Sequence, residues 1–116
     1  MILTRQVYLY LGDAWKKQNM RVYESGDAAG YTTTPCGRNI TVKNILTHTS
    51  GISYGFDKQG LVNKVDKIYS SGRYNPRRGK DLKTFVDGLA TAPLLFQPGR
   101  HWKYGYNTDI AGRLVE

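Results

Sequence analysis

Apolar residues recur at the spacing of an α-helix in four stretches of the chain. The first stretch predicts a short helix that begins at Thr41, whose hydroxyl can cap the free amides of the first turn. The second stretch predicts a helix from Asp57 to Gly72, and the third predicts one that begins at Asp81. A fourth helix is predicted to begin near Asn107. The apolar stripes are Val42, Ile45 and Leu46 in the first helix, Leu61, Val62, Val65, Ile68 and Tyr69 in the second, Leu82, Phe85, Val86 and Leu89 in the third, and Ile110, Ala111, Leu114 and Val115 in the fourth.

The segments before the first helix carry no such stripe. Residues 3–22 mix aromatic and aliphatic side chains, which indicates a short extended or turn-rich segment that packs through Trp15. Residues 25–38 are rich in glycine, alanine, threonine and proline, and this composition predicts a long loop. The pattern as a whole therefore predicts a mainly α fold with long loops and at most a little strand.

The length of 116 residues fits one small domain, which we assign to residues 1–116. No apolar run approaches the roughly 18 residues that a membrane span requires. Residues 1–5 lack the basic-then-apolar pattern of a secretion signal. These features predict no transmembrane segment, and they leave the compartment open.

The chain is basic, with 17 Lys and Arg against 9 Asp and Glu and a net charge of +8. Binding of nucleic acid usually needs such charges clustered on one face, whereas here they are scattered along the sequence. The densest run contains Arg77, Arg78 and Lys80, and a solvated loop is its simplest interpretation. We therefore expect no nucleic acid partner and keep polyanion binding through these three residues as a weaker alternative.

Few residues carry an obvious site chemistry. The two histidines, His48 and His101, lie too far apart in sequence to suggest a metal site, and no phosphate-binding glycine pattern is present, so no metal or cofactor is predicted. The single cysteine, Cys36, is interpreted as a plain surface thiol rather than a nucleophile. His48 and Ser50 could form a nucleophile and its base. The alternative is that both side chains bind the backbone where the first helix ends.

Two stretches together are specific. Residues 40–56 read ITVKNILTHTSGISYGF, and residues 93–116 read PLLFQPGRHWKYGYNTDIAGRLVE. In order and spacing they resemble the L-L-T-H-T-S-G-L and P-L-x-F-x-P-G-x-x-W-x-Y … T-D-x-x-G-x-x-V-E segments of the serine β-lactamase-related family. That family contains class C β-lactamases, penicillin-binding-protein-like peptidases and type VIII carboxylesterases.

The resemblance implies the helical region of the α/β, transpeptidase-like fold of that family, with the α/β sheet domain largely missing. It also implies acyl transfer that uses a Ser and a Lys of a Ser-x-x-Lys motif together with a Tyr. Tyr104 stands at the Tyr position and would act as a proton shuttle. Tyr106 stands at the substrate-binding third position of the Tyr motif, where the penicillin-recognising branches have Asn. The substitution favours a small ester over a β-lactam, with a small amide as a further possibility.

The 116 residues contain no Ser-x-x-Lys, and none of the Lys-Thr-Gly or His-x-Gly elements that the family has on a late strand. The nearest match, from Ser70 to Arg73, offers Arg in place of Lys, and a guanidinium cannot share a proton near neutral pH. We therefore expect a central fragment of a β-lactamase-related serine hydrolase that is inactive by itself. The alternative is a non-catalytic structural or interaction subunit, whose exposed apolar faces are covered by a protein partner.

Overall fold

The computed structural model describes residues 2–27, 29–53, 65 and 82–115. Its regular elements, in chain order, are helix α1 (Tyr8–Leu11), two 3₁₀ helices (Asp13–Trp15 and Lys17–Asn19), strands β1 (Arg21–Asp27) and β2 (Gly30–Pro35), and helices α2 (Val42–Leu46), α3 (Leu82–Thr91) and α4 (Asn107–Leu114). Helices and a β hairpin therefore occur together in the described part of the chain. None of the helices described there is long and apolar enough to cross a membrane.

The prediction of a loop over residues 25–38 is wrong, because most of this stretch lies in a hairpin. Strands β1 and β2 pair antiparallel, from Arg21 opposite Pro35 to Asp27 opposite Gly30. The Oδ1 atom of Asp27 accepts hydrogen bonds from the backbone amides of Ala29 and Gly30, each at 3.1 Å. This Asx-type arrangement closes the turn without a glycine inside it. The threonines of β2 are β-branched residues that suit a pleated strand.

A third extended segment, which belongs to the second motif stretch, lies along β1. The amide of Leu94 donates to the carbonyl of Arg21 at 2.9 Å, and the amide of Tyr23 donates to the carbonyl of Leu94 at 2.8 Å. The next amide, that of Leu95, donates to the carbonyl of Gly51 at 2.8 Å. The hairpin, the chain after α3 and the chain after α2 are thereby joined by backbone hydrogen bonds.

Helix α2 begins where the sequence predicts. The Thr41 hydroxyl accepts from the amide of Asn44 at 3.1 Å, and the Asn44 side chain accepts from the amide of Thr41 at 3.0 Å, which completes a capping box. Val42 and Ile45 are buried as predicted. Leu46 is 53% exposed, so its assignment to the buried face is wrong.

The third and fourth predicted helices are confirmed, with one misplaced residue. In α3, Val86 and Leu89 are buried, and in α4 Ile110 is fully buried. Val115 was assigned to the same stripe, but it follows the last helical residue and is 77% exposed. The helix predicted over residues 57–72 lies outside the described residues, apart from the buried Val65.

One apolar core joins these elements. Trp15 is fully buried, which confirms that the first segment packs through it, although this segment is built from short helices rather than extended chain. The largest side chains of the core are Trp15, Met20, Ile40, Ile45, Ile52, Leu89, Leu94 and Ile110. Burial of such side chains stabilises a domain by roughly 1.5–3 kcal/mol each relative to exposure. Several of these side chains, such as Ile45, Ile52 and Leu94, belong to the two motif stretches, so the core holds the stretches that carry the candidate site.

Candidate functional site

The two motif stretches of the sequence lie side by side in the structure. The amide of Gly99 donates to the carbonyl of Thr49 at 2.8 Å, and the amide of Lys103 donates to the carbonyl of His48 at 2.9 Å. Farther along, the amide of Tyr106 donates to the carbonyl of Ser53 at 3.2 Å. Residues 99–106 thus form an irregular segment that is held at three points to the chain that follows α2.

A glycine allows the closest approach of the two stretches. Gly105 is buried, and a Cβ atom at this position would meet the backbone carbonyls of Ile52 and Ser53. Only a residue without a side chain lets the two backbones come this near. Gly105 therefore allows the segment that carries the preceding residue, Tyr104, to lie close to the chain after α2.

Tyr104 is half-buried and its ring lies against the ring of His48. The two ring centroids are 5.0 Å apart with an interplanar angle of 32°. The indole of Trp102 meets the same imidazole edge-on, at 5.9 Å and 65°. The imidazole of His48 therefore lies between two aromatic side chains, of which Trp102 is 66% exposed and Tyr104 is half-buried. The predicted catalytic position is therefore next to a surface that a small substrate can reach.

A chain of hydrogen bonds runs from the interior to this imidazole. The hydroxyl of Ser50 donates to Oδ1 of Asn107 at 2.6 Å, and Nδ2 of Asn107 lies 3.1 Å from Nδ1 of His48. The Ser50 oxygen also accepts from the amide of Ile52 at 3.1 Å. Ser50 is fully buried and Asn107 is 1% exposed. Because an amide nitrogen can only donate, this arrangement requires an unprotonated Nδ1 on His48.

The backbone of His48 is unusual. Its φ of 56° lies in the left-handed region, which is uncommon for any residue other than glycine. Burial lowers the pKa of His48 from its ordinary value of 6.5. A lowered pKa favours the neutral ring near neutral pH, and a neutral ring is the form that can accept the Asn107 hydrogen bond.

We expect the lowered pKa of His48 to make folding weaker in mild acid. Above pH 6.5, the ordinary value, the ring is neutral in both the folded and the unfolded chain; as the pH falls below it, the unfolded chain binds the proton first and stability is lost. Urea unfolding of the intact protein at about pH 7.5 and about pH 5.5 measures this loss. The His48→Asn variant, which tolerates a left-handed backbone, should lose less stability between the two pH values. An equal loss in both proteins would contradict the expectation.

The structure does not support a direct pair between Ser50 and His48. Asn107 lies between the two side chains, and the buried Ser50 hydroxyl cannot meet a substrate in this arrangement. The alternative interpretation holds in part, since Ser50 accepts from the backbone amide of Ile52. The imidazole of His48 is bound by a side chain instead. Asn107 was predicted only as the start of a helix, and its part in this chain of hydrogen bonds was missed.

Cys36 is not a surface thiol. It is only 6% exposed, and its sulfur donates to the carbonyl of Arg38 at 3.2 Å. Burial raises the pKa of Cys36 above its ordinary value of 9.0. Because the thiolate is the reactive form, a raised pKa makes this cysteine a poor nucleophile.

Tyr106 lies in the core rather than on the exposed side of the site. It is 6% exposed and meets the ring of Phe85 edge-on, with centroids 5.1 Å apart. It directly precedes α4 and so links the site to the packing of α3 against α4. Its role in substrate binding stays a prediction.

One other predicted residue makes its described ring contact elsewhere, and three lie outside the described residues. His101 is exposed and meets the ring of Phe96 edge-on, with centroids 5.3 Å apart. Arg77, Arg78 and Lys80 lie outside the described residues. Within the residues that are described, no three His, Cys, Asp or Glu side chains come together as a metal site would need.

The described site can therefore hold and orient a phenol, but the sequence offers no Ser-x-x-Lys pair beside it. A phenolic oxygen both donates and accepts a hydrogen bond, which is what a proton shuttle requires.

Comparison with known proteins identifies relatives over nearly the whole chain. The model of a family described as beta-lactamase matches residues 19–116. The lovastatin esterase of Penicillium rubens is 40% identical over 82 residues, which cover 71% of this chain and 19% of the esterase. The esterase EstB of Burkholderia gladioli is 33% identical over 85 residues, which cover 66% of this chain and 19% of that protein.

A solved structure shares the fold. The unliganded simvastatin synthase (LovD) from Aspergillus terreus aligns with 98% of this chain at a TM-score of 0.68 and 32% identity, and the alignment covers 26% of the synthase. The described helices and hairpin thus occur together within a larger β-lactamase-like fold. The chain spans between about a fifth and about a quarter of the length of these three relatives.

Proposed function

Because the chain belongs to the β-lactamase family, we propose that it forms the tyrosine-bearing part of a serine hydrolase or acyltransferase that acts on small carboxylic esters. The nucleophilic Ser and its Lys then come from segments outside these 116 residues, and the chain by itself is inactive. The observation that carries the proposal is the position of Tyr104: hydrogen bonds between the two motif stretches hold the segment that carries it, and its ring lies against the ring of His48.

The proposed reaction is acyl transfer in two steps. The oxygen of the nucleophilic Ser forms a bond to the ester carbonyl carbon, and its proton passes to the oxygen of Tyr104 as the phenol proton moves to the Lys amine. The bond from the carbonyl carbon to the leaving alcohol then breaks, and Tyr104 gives a proton to that alcohol and regains one from the Lys ammonium. Water or a second alcohol next attacks the acyl-serine and gives its proton to Tyr104 as the phenol proton moves to the Lys amine. The bond from the carbonyl carbon to the Ser oxygen then breaks, and Tyr104 returns a proton to that oxygen.

Esters are favoured over β-lactams for two reasons. The relatives are named as esterases and as a simvastatin synthase. The third position of the Tyr motif carries Tyr106 in place of Asn, and this side chain is buried against Phe85. The buried Tyr106 would support the segment that carries Tyr104. The exposed Trp102 would provide an apolar surface for the acyl group.

The proposal is tested by comparing the 116-residue chain with the chain extended by segments that carry Ser-x-x-Lys and Lys-Thr-Gly or His-x-Gly elements. With a p-nitrophenyl ester, we expect no turnover by the short chain and a burst followed by turnover from the extended protein. A chromogenic cephalosporin should be cleaved far more slowly. Turnover by the short chain, or full activity after Ser→Ala replacement in the Ser-x-x-Lys motif, would contradict the proposal.

A second candidate function is that of a non-catalytic interaction subunit. An apolar groove of about 230 Å³ lies between the N-terminal segment, α2 and α4. Its lining residues are Leu3, Val42, Leu46, Ala111, Leu114 and Val115. Three of them are among the most exposed large apolar side chains described, which is typical of a surface that a protein partner covers. The net charge of +8 favours an acidic partner.

If the chain is an interaction subunit, we expect the protein purified from its source to elute from a size-exclusion column in a complex with a partner. A Leu46→Glu substitution should release the partner, because it places a charge in the groove. A matched Leu9→Glu substitution, at another exposed leucine outside the groove, should leave the complex intact. A monomeric native chain without a partner would contradict this candidate.

A further inference from the structure

A buried polar chain lies behind the proposed proton shuttle, and the proposed reaction does not use it. Ser50 is fully buried and Asn107 is 1% exposed, yet both belong to polar residue types that are usually found at the surface. Burying such groups costs free energy unless each finds a hydrogen-bond partner. Here they bind one another and end on the imidazole of His48.

The residue at the end of this chain is held in a costly conformation. A non-glycine residue at a φ of 56° needs surrounding contacts that hold it there. His48 is held on both sides: Asn107 binds its Nδ1, and its carbonyl accepts from the amide of Lys103. Strain of this kind clusters at functional sites, where it fixes one geometry.

We propose that Ser50 and Asn107 brace the ring of His48, and that His48 in turn positions the phenol of Tyr104 for proton transfer. This inference rests on the proposed function, since it assigns His48 and Asn107 as positioning residues for the same reaction. His48 contacts the segment that carries Tyr104 in two ways. Its carbonyl accepts from the amide of Lys103 in that segment, and the centroid of its ring lies 5.0 Å from that of the phenol ring. The brace reaches from the first motif stretch to α4.

A brace is needed because Tyr104 stands on an irregular segment. No helix or strand fixes residues 99–105, so the orientation of the phenol depends on its neighbours. Displacement of a catalytic group by about 1 Å can lower the rate by roughly 10²-fold. The ring of His48 covers one side of the phenol and thereby limits the positions that it can occupy.

The first test observes the tautomer of His48, first in the unsubstituted protein and then in a Ser50→Ala variant. Nitrogen-15 NMR of the imidazoles in the intact protein should show His48 as a single tautomer, with the proton on Nε2 and none on Nδ1. Ser50→Ala should turn this into a mixture of tautomers, because Asn107 loses the hydroxyl that fixes its orientation. His101, which lies outside the chain of hydrogen bonds, is the internal control. A protonated Nδ1 on His48 in the unsubstituted protein would overturn the inference.

The second test is kinetic and uses the active, extended protein. His48→Asn keeps a residue that tolerates the left-handed backbone but removes the ring. We expect kcat to fall by about tenfold or more while KM stays within about twofold, since a positioning contact acts in the transition state. The matched variant His101→Asn should change neither constant. An increase in KM with kcat unchanged would overturn the positioning role.

A double substitution separates failure of this inference from failure of the proposed function. In a Tyr104→Phe background, His48→Asn should lower kcat no further, because the phenol that it positions is gone. If His48→Asn lowers kcat by the same factor in both backgrounds, His48 does not act through Tyr104. If Tyr104→Phe itself keeps full activity, the proposed function fails, and the inference that rests on it is overturned with it.

Discussion

Replacing Tyr104 with Phe in the active, extended protein is expected to lower kcat for ester cleavage by about 10²- to 10⁴-fold, the range that general acid–base catalysis contributes. The substitution removes only the phenolic oxygen and keeps the ring that lies against His48. Because the fold is left as it was, KM should change little. Steady-state kinetics with a p-nitrophenyl ester measures both constants.

Tyr10→Phe is the matched control for this experiment. Tyr10 lies in α1, is 39% exposed and lies outside the two motif stretches that build the site. Its loss of a hydroxyl should leave kcat and KM unchanged. Full activity in Tyr104→Phe would remove the role that we assign to Tyr104, while an equal loss in both variants would point to a general effect of losing a surface hydroxyl.

Gly105→Ala is expected to destabilise the intact protein by about 3 kcal/mol, at the upper end of the usual cost of overpacking. The new Cβ would meet the carbonyl of Ile52, whose side chain is fully buried, so the two backbones would have to move apart. Separation would also break the hydrogen bond from the amide of Tyr106 to Ser53. Urea unfolding with the midpoint and slope determined separately measures the change.

Gly88→Ala is the matched control, since it is the same substitution and we expect it to change stability in the opposite direction. Gly88 lies inside α3, and a Cβ there would meet nothing within 4 Å. Alanine at this position should stabilise the protein by up to about 1 kcal/mol, because it has the higher helix propensity. Equal stability of Gly105→Ala and the unsubstituted protein would show that the two motif stretches do not approach as closely as described.

Sequence periodicity predicted α2, α3 and α4 well because their core residues repeat with the turn of the helix. Thr41 also indicated the start of α2, since capping is a local interaction between residues three positions apart. Exposure was predicted less well. Leu46 and Val115 match the apolar spacing but face a groove, and a one-dimensional pattern does not reveal which neighbour covers a residue.

The hairpin was missed because its signals are not the usual ones. Its turn is closed by the side chain of Asp27 rather than by a glycine within the turn, and β2 is built largely from threonines. Glycines on either side, such as Gly26 and Gly30, raise the loop signal of the whole stretch. The hydrogen bonds between strands decide the structure here, and composition does not encode them.

In the candidate site, too, local features could be predicted from the sequence and long-range contacts could not. The position of Tyr104 could be suggested from a motif, because the spacing of residues 93–116 is a local property of the sequence. The hydrogen bond from Ser50 to Asn107 joins residues 57 positions apart, and no local pattern announces it. Once the two motif stretches are known to lie side by side, polar residues that occur in both become the natural candidates for such a contact.

Whether these residues belong to a serine hydrolase is tested by the intact mass of the native protein, taken before and after incubation with a fluorophosphonate that labels nucleophilic serines. We predict a mass well above 13.1 kDa and a covalent adduct on the serine of a Ser-x-x-Lys peptide. This result would place Tyr104 in the same polypeptide as its proton partners. A native mass of 13.1 kDa with no adduct would contradict the account.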